Sequence, residues 1–284
     1  MKIKCTKHNS DEYPKKLRDI ASSPKQLYSL GNFKEDASFK LTVVGTRKPT
    51  KYGRYVTETL VGELARMGVT IISGLALGVD GLAHQAALDN GGRTIAVLPC
   101  GLDKIYPATH RDLAKKILGS HGALVSEYEE GVPPLTHNFP ARNRIVSGLS
   151  DAVLVIEAAA RSGTSITAGF ALEQGKTVMA IPGNINNPMS AGTNNLIRTG
   201  AFPITSVRDV LDACGLEDLA AGPSQAKGDN QVEQVIIDSL TDGMLDGDAI
   251  QQATKLKPNE LSNALTMLEI KGVIRNLGGN NWTL

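Results

Sequence analysis

Three stretches of the sequence gather residue types that bind anions. "GTRKPTKYGRY" (45–55) places Arg47, Lys48, Lys51 and Arg54 just behind Gly45. "EAAARSGTSITAGFALEQG" (157–175) holds Ser162, Gly163 and Thr164 after a run of alanines. "FPARNRIVSGLS" (139–150) sets Arg142 and Arg144 around Asn143, beside Phe139 and Pro140. Guanidinium forks grip phosphate through two parallel hydrogen bonds. Small residues at a helix start let backbone amides approach an anion closely. An aromatic ring next to such a cluster can stack a nucleobase. Each stretch also has a plain structural reading. The first can be a solvated basic loop, and Ser162 or Thr164 can simply cap a helix. In the third, Phe139 can be core and the arginines can pair with carboxylates.

A fourth cluster, "SGLALGVDGLAH" (73–84), carries Ser73, Asp80 and His84. Asp80 and His84 are one helical turn apart, so a serine triad is conceivable. The nucleophile elbow GxSxG is missing, which favours a capping Asp80 and a hydrogen-bonded structural His84. No catalytic residue is therefore assigned. The remaining histidines (His8, His110, His121, His137) show no ligand spacing, and no metal site is expected. The dinucleotide fingerprint and the P-loop are both absent, so no nucleotide cofactor is expected.

These stretches need elements to hold them in place. Apolar runs at 39–45, 69–74, 94–101, 122–127, 151–158 and 177–183 read as strands. Helical spacing at 52–68, 79–91, 110–122, 165–175 and 192–200 separates them, and a short strand (202–206) and helix (207–215) close the set. Strands apolar throughout and alternating with helices imply a parallel sheet covered on both faces. The expected fold class is α/β: an extended Rossmann-like, doubly wound, mostly parallel sheet with a small C-terminal winged helix. In such sheets ligands bind beyond the carboxyl ends of the strands, where the basic and glycine-rich loops emerge.

Four segments follow: an N-terminal extension (1–37), the Rossmann-like domain (38–216), a linker (217–230) and the winged helix (231–284). The last shows three helical patterns and a hairpin turning at Gly278-Gly279. The chain has 284 residues and a net charge of +1, so any anion site is a local cluster and not a basic surface. The segment 226–284 is acidic, with five Lys/Arg against eight Asp/Glu, which predicts a regulatory or protein-contact role for it. The three cysteines are scattered and no CxxC occurs, as expected of a reducing cytoplasm without disulfides. No apolar run is long enough to span a membrane, and the N-terminus lacks a signal core.

The ordered set "VVGTR", "SGLALGVDGLAH", "TIAVLPCGLDKIYP", "LVSEY", "FPARNRIVSGLS", "VIEAAARSGTSITA", "ALEQGKTVMAIPG" and "GTNNLIRTGA" resembles the DNA-processing protein A (DprA/Smf) family over about residues 13–214. The resemblance implies a non-enzymatic, homodimeric protein that binds single-stranded DNA. It implies further that the protein protects incoming DNA in natural transformation and helps load the RecA recombinase. Carried over by motif, DNA contacts fall on Arg47, with Lys51 in the same loop, on Phe139, Arg142, Asn143 and Arg144, and on Ser162, Gly163 and Thr164. The chain departs from the family pattern in reading "GLALG" after the second strand and in having too few residues before "YPKKL" for an N-terminal helical domain. The rival reading is a Rossmann-like nucleoside-monophosphate phosphoribohydrolase. It would need a "PGGxGTxxE" loop, whereas "ARSGTSIT" lacks the double glycine and places Thr167 where the catalytic glutamate belongs.

Overall fold

Mostly apolar runs of four or five residues form the centre of the chain as strands buried at every position but Thr177. They are β3 (Lys40–Val44), β4 (Thr70–Ser73), β5 (Thr94–Val97), β6 (Ala123–Ser126), β7 (Ala152–Val155) and β8 (Thr177–Ala180). The computed structural model describes residues 2–34, 37–216, 228–241, 246–271 and 273–283. They divide into two units, Met1–Glu217 and Asp218–Leu284, each treated by itself.

In the first unit nine strands make one sheet, in the order β1 (Lys4–Lys7), β2 (Gln26–Gly31), β6, β5, β4, β3, β7, β8 and β9 (Phe202–Pro203). From β6 to β9 all neighbours are parallel, with Leu41 of β3 registered on Ile71 of β4 and Ala152 of β7. Helices alternate with these strands: α2 (Lys51–Arg66), α3 (Val79–Asp89), α4 (Arg111–Gly119), α5 (Asn138–Gly148), α6 (Gly163–Glu173), α7 (Ala191–Arg198) and α8 (Val207–Cys214). The period of two along a strand divides the core between the faces of the sheet. Ile95 and Val97 pack with Ile72, Val125 and Val153 on one face, and Ala96 and Leu98 with Leu75, Ile117 and Leu124 on the other. After β3 the chain lays down β4, β5 and β6 to one side, then crosses to β7 on the other. The carboxyl ends of β3 and β7 thus diverge into a crevice, the topological switch point of a doubly wound sheet.

Two expectations are corrected. Residues 1–37 are not an appendage. They supply β1 (Lys4–Lys7), the single turn α1 (Lys15–Arg18) and β2 (Gln26–Gly31), and β2 pairs antiparallel with both β1 and β6. Tyr13 and Leu17 are fully buried in the core, and the Tyr13 hydroxyl donates to the Pro24 carbonyl at 2.8 Å. Short strands bearing Lys4, Lys7 and Gln26 offer too few apolar positions to show a period. The second correction concerns "FPARNR", which lies between the expected strands 122–127 and 151–158 with no helix assigned to it. It is the first part of α5, with Pro140 in the initial turn, where a missing N–H leaves no helical hydrogen bond unmade.

The described residues of the second unit pack three helices, α9 (Gln231–Thr241), α10 (Gly247–Thr254) and α11 (Pro258–Ile270), with a hairpin of β10 (Arg275–Gly278) and β11 (Asn281–Thr283). Ile236, Ile250, Leu261, Leu265, Leu268 and Trp282 form its own core. This is the winged-helix arrangement. Of the expected linker, residues 217–227 lie outside the described residues.

Candidate nucleic-acid interface

A cleft of about 690 Å³ opens at the switch point. Gly45, Thr46 and Arg47 line it from the loop after β3, and Ala159, Arg161, Ser162, Gly163 and Thr164 from the loop after β7. Ala76 contributes from the β4–α3 connection, Asp80 from the first turn of α3, Tyr106 from the loop after β5, and Phe139, Arg142 and Asn143 from α5. The three sequence stretches therefore do converge on one crevice, although their members play unequal parts.

Arg47 is exposed, and its guanidinium carbon lies 5.7 Å from the centre of the Phe139 ring. Tyr106 meets Phe139 edge-on, with ring centres 5.4 Å apart. Phe139 is half-buried, so it serves both readings left open above: it packs on Tyr106 and still faces the cleft. Among the described residues no hydrogen bond or ion pair engages the guanidinium of Arg47 or of Arg161. Both remain free to meet an anion.

The helix that aims at the cleft is α6. The Ser162 hydroxyl caps it by accepting from the Thr164 amide at 3.1 Å. Nothing stands within 4 Å of the place a Gly163 side chain would take, so a ligand can approach the first turn directly. The amides of a first helical turn lack intrahelical partners and carry a partial positive charge.

The start of α2, within the basic stretch 45–55, does not offer the same, because the protein fills it from within. Glu157, 1% exposed at the end of β7, accepts from the Thr50 amide at 2.9 Å and from the Thr50 hydroxyl at 2.6 Å. Gly53 makes the room: a side-chain carbon there would lie 2.2 Å from the Glu157 carboxylate. That carboxylate already compensates the positive end of α2. The basic side chains of this stretch remain available, but its helix terminus does not.

Arg142 and Arg144 part company for a helical reason. Residues two apart on a helix point about 200° from each other. Arg142 is buried and faces the sheet, donating to the Gly74 carbonyl at 2.5 Å and to the Val97 carbonyl, and to the Asn143 side chain at 3.1 Å. Gly74 is required there, since a Cβ would lie 2.6 Å from the guanidinium. Arg142 forms the floor of the cleft and fixes the ends of β4 and β5. Arg144 points away and makes a two-pronged pair with Glu127 at 3.0 and 2.6 Å, both side chains largely buried. It does not line the cleft, and its assignment as a phosphate ligand is corrected to a structural ion pair. Lys51 also lies outside the cleft lining, exposed in the first turn of α2.

Asp80 sits under Arg142 and accepts from the Gly74 amide at 3.1 Å and, more loosely, from the Ala76 amide. Burial pushes its carboxyl up, while the Arg142 charge and the two amides pull it back. The Ser73–His84–Asp80 relay does not form. Ser73 donates to the Val43 carbonyl at 2.7 Å, and His84 shares a hydrogen bond with Thr94 at 2.6 Å. Burial, reinforced by the nearby His110 and Arg142 charges, holds the His84 imidazole down at about 3. Sequence reasoning missed Arg161 and Glu157. The first was signalled by its place just before "SGTS", and the second by a carboxylate ending an otherwise apolar strand.

The family model for DNA recombination-mediator protein A matches residues 4–215. The chain belongs to that family. A second model, the DprA winged helix domain, matches residues 220–280. Protein Smf of Escherichia coli (strain K12) is 48% identical over 204 residues, covering 72% of this chain. The chain spans 54% of that relative's length. DNA processing protein DprA of Streptococcus pneumoniae (strain ATCC BAA-255 / R6) is 44% identical over 201 residues, 71% of either chain. Among solved structures, DprA from Streptococcus pneumoniae superimposes with a TM-score of 0.70 at 42% identity, covering 74% of both chains. DNA processing protein A from Helicobacter pylori, described as having a unique single-stranded DNA binding mode, gives 0.66 at 35% identity, covering 75% of this chain and 99% of the other.

Proposed function

We propose that this protein binds single-stranded DNA without cleaving or modifying it, and that it does so in the switch-point cleft. The supporting observation is the unengaged Arg47 stacked on Phe139 opposite Arg161 and the start of α6. Arg47 and Arg161 hold backbone phosphates, the Gly163 amide at the open start of α6 meets another, and Phe139 receives a base face. Arg142 and Asn143 shape the floor. Such contacts address phosphates and ring faces, which every nucleotide has, so the binding is independent of sequence. The resemblance of the Helicobacter protein supports the choice of ligand.

The non-catalytic part of the reading rests on the carboxylates. Asp80 is engaged by backbone amides and Glu157 by the start of α2. Thr167, where the hydrolase reading needs a glutamate, is a buried wall residue with no proton to exchange near neutral pH. Family membership extends the proposal to a homodimer that protects cytoplasmic DNA and hands it to RecA. A salt series of mobility shifts, with single- and double-stranded oligomers side by side, tests the core claim. Preferential single-strand binding that weakens as salt rises is expected. Equal affinity for both forms, or release of free base from AMP, refutes it.

A further inference from the structure

The segment Lys48–Tyr55 beside the cleft carries features that the cleft itself does not use. Tyr52 and Tyr55 are 46% and 66% exposed. They lie three residues apart on α2, hence on one side of the helix. Tyr52 is oriented by a hydrogen bond from its hydroxyl to the Pro182 carbonyl at 3.1 Å, on the loop leaving β8. Tyr55 makes no ring contact among the described residues. Lys48, Lys51 and Arg54 alternate with the two tyrosines along the segment, all exposed, and no ion pair engages any of them among the described residues. The first turn of α2 contains no acidic residue.

That charge placement runs against helix electrostatics. Cations are disfavoured at the positive end of a helix, and acidic residues are the usual choice. Here the acid is internal: Glu157 compensates the helix end from beneath, and the outer surface is given over to cations and aromatic rings. Interleaved basic and aromatic side chains are the recurring surface for single strands, because phosphates and base faces alternate along such a chain. An acidic protein would use the cations but would have little need of two exposed rings.

From this we infer that the start of α2 is a second subsite, a stacking platform over which the single strand leaves the cleft toward the β8 side. Tyr52 and Tyr55 stack bases there, and Lys48, Lys51 and Arg54 hold the intervening phosphates. The inference rests on the cleft-binding reading and lengthens the site beyond it. It also gives Lys51 a role outside the cleft lining.

The test measures affinity of the full chain for two oligothymidylates, one of roughly six nucleotides and one of roughly twenty, within the span of known single-strand sites and beyond it. Tyr55→Ala and the Tyr52→Ala/Tyr55→Ala double variant should weaken binding of the long oligomer by about fivefold or more, the usual yield of a lost stacking contact. They should leave the short one unchanged. Tyr55→Trp should keep the long-oligomer affinity. An abasic long oligomer should bind wild type and the double variant equally. Long-oligomer affinity that survives loss of both tyrosines overturns the platform, while the Arg47→Ala result decides the cleft reading separately. Displacement of the long oligomer by poly-glutamate as efficiently as by poly-thymidylate also overturns it, in favour of an acidic protein partner.

Discussion

Arg47 and Arg144 are both arginines of basic-looking motifs, and the structure assigns them opposite physics, so replacing each by alanine separates binding from stability. Arg47 is exposed, and its only described partner is the face of Phe139. Its removal leaves nothing buried without a partner. The fold should keep its melting temperature within a degree or so, since exposed substitutions stay within about 0.5 kcal/mol. Binding should suffer instead. One phosphate contact on a single strand contributes about 0.7 to the slope of log affinity against log salt, so Arg47→Ala should flatten that slope by about 0.7. Arg144→Ala reverses the pattern. It breaks a largely buried two-pronged pair and leaves the Glu127 carboxylate without its cation. Orphaning a partly buried charged group costs about 2 kcal/mol, which lowers the melting temperature of a unit this size by about 4–8 °C. The slope of its salt plot should match wild type. Two measurements on each variant decide the matter: thermal melting, and affinity at several salt concentrations. A flattened salt slope in Arg144→Ala with unchanged melting would refute the assignment of the two residues.

Other expectations follow from the same contacts. Gly53→Ala pushes a methyl group onto the Glu157 carboxylate and should destabilise the protein by about 1–3 kcal/mol in a urea titration. Acid should destabilise the fold through His84: its folded-state value of about 3 lies below the unfolded 6.5, so this stability is complete above about pH 6.5 and is lost as pH falls toward 3. Urea midpoints compared at neutral and mildly acidic pH should show this loss, and His84→Gln should reduce it. Asp80 works in the opposite direction, its raised carboxyl favouring the fold as pH drops below that raised value and through the ordinary carboxylate range. The isolated segment 228–284, with its own core and its acidic balance, should show no DNA binding with a steep salt slope. A mobility shift that collapses between low and moderate salt would contradict that.

The parallel strands were legible because each is buried on both faces and must be apolar throughout, as in "LTVV" of β3 and "AVLV" of β7. The place of the site was legible too, since the basic "GTRK" and the small-residue "ARSGTS" both follow apolar strands directly. Burial on several sides hid α5 from view: Asn138, Arg142, Ile145, Val146 and Ser147 are all buried, so no single apolar stripe marks the helix. Without that helix the two arginines looked alike. Only the turn of the backbone sends one under the cleft and the other to Glu127. The edge strand β1 and its neighbour β2 were hidden by brevity and by polar side chains, Lys4, Lys7 and Gln26 among them. The use of Glu157 depends on a tertiary contact between β7 and α2, about a hundred residues apart in sequence, which no local pattern records.

Glu157 has one more consequence. A helix start open to solvent attracts small anions from the buffer, and a ligand that lands there must expel them, gaining entropy as they disperse. At α2 the occupying anion is covalently part of the chain and cannot be expelled. Any strand passing over that helix therefore gains nothing from anion release at the helix end. Its response to changing chloride or acetate should come from the exposed cationic side chains and the rim of α6, not from this helix end, while its response to cations reflects every phosphate it carries.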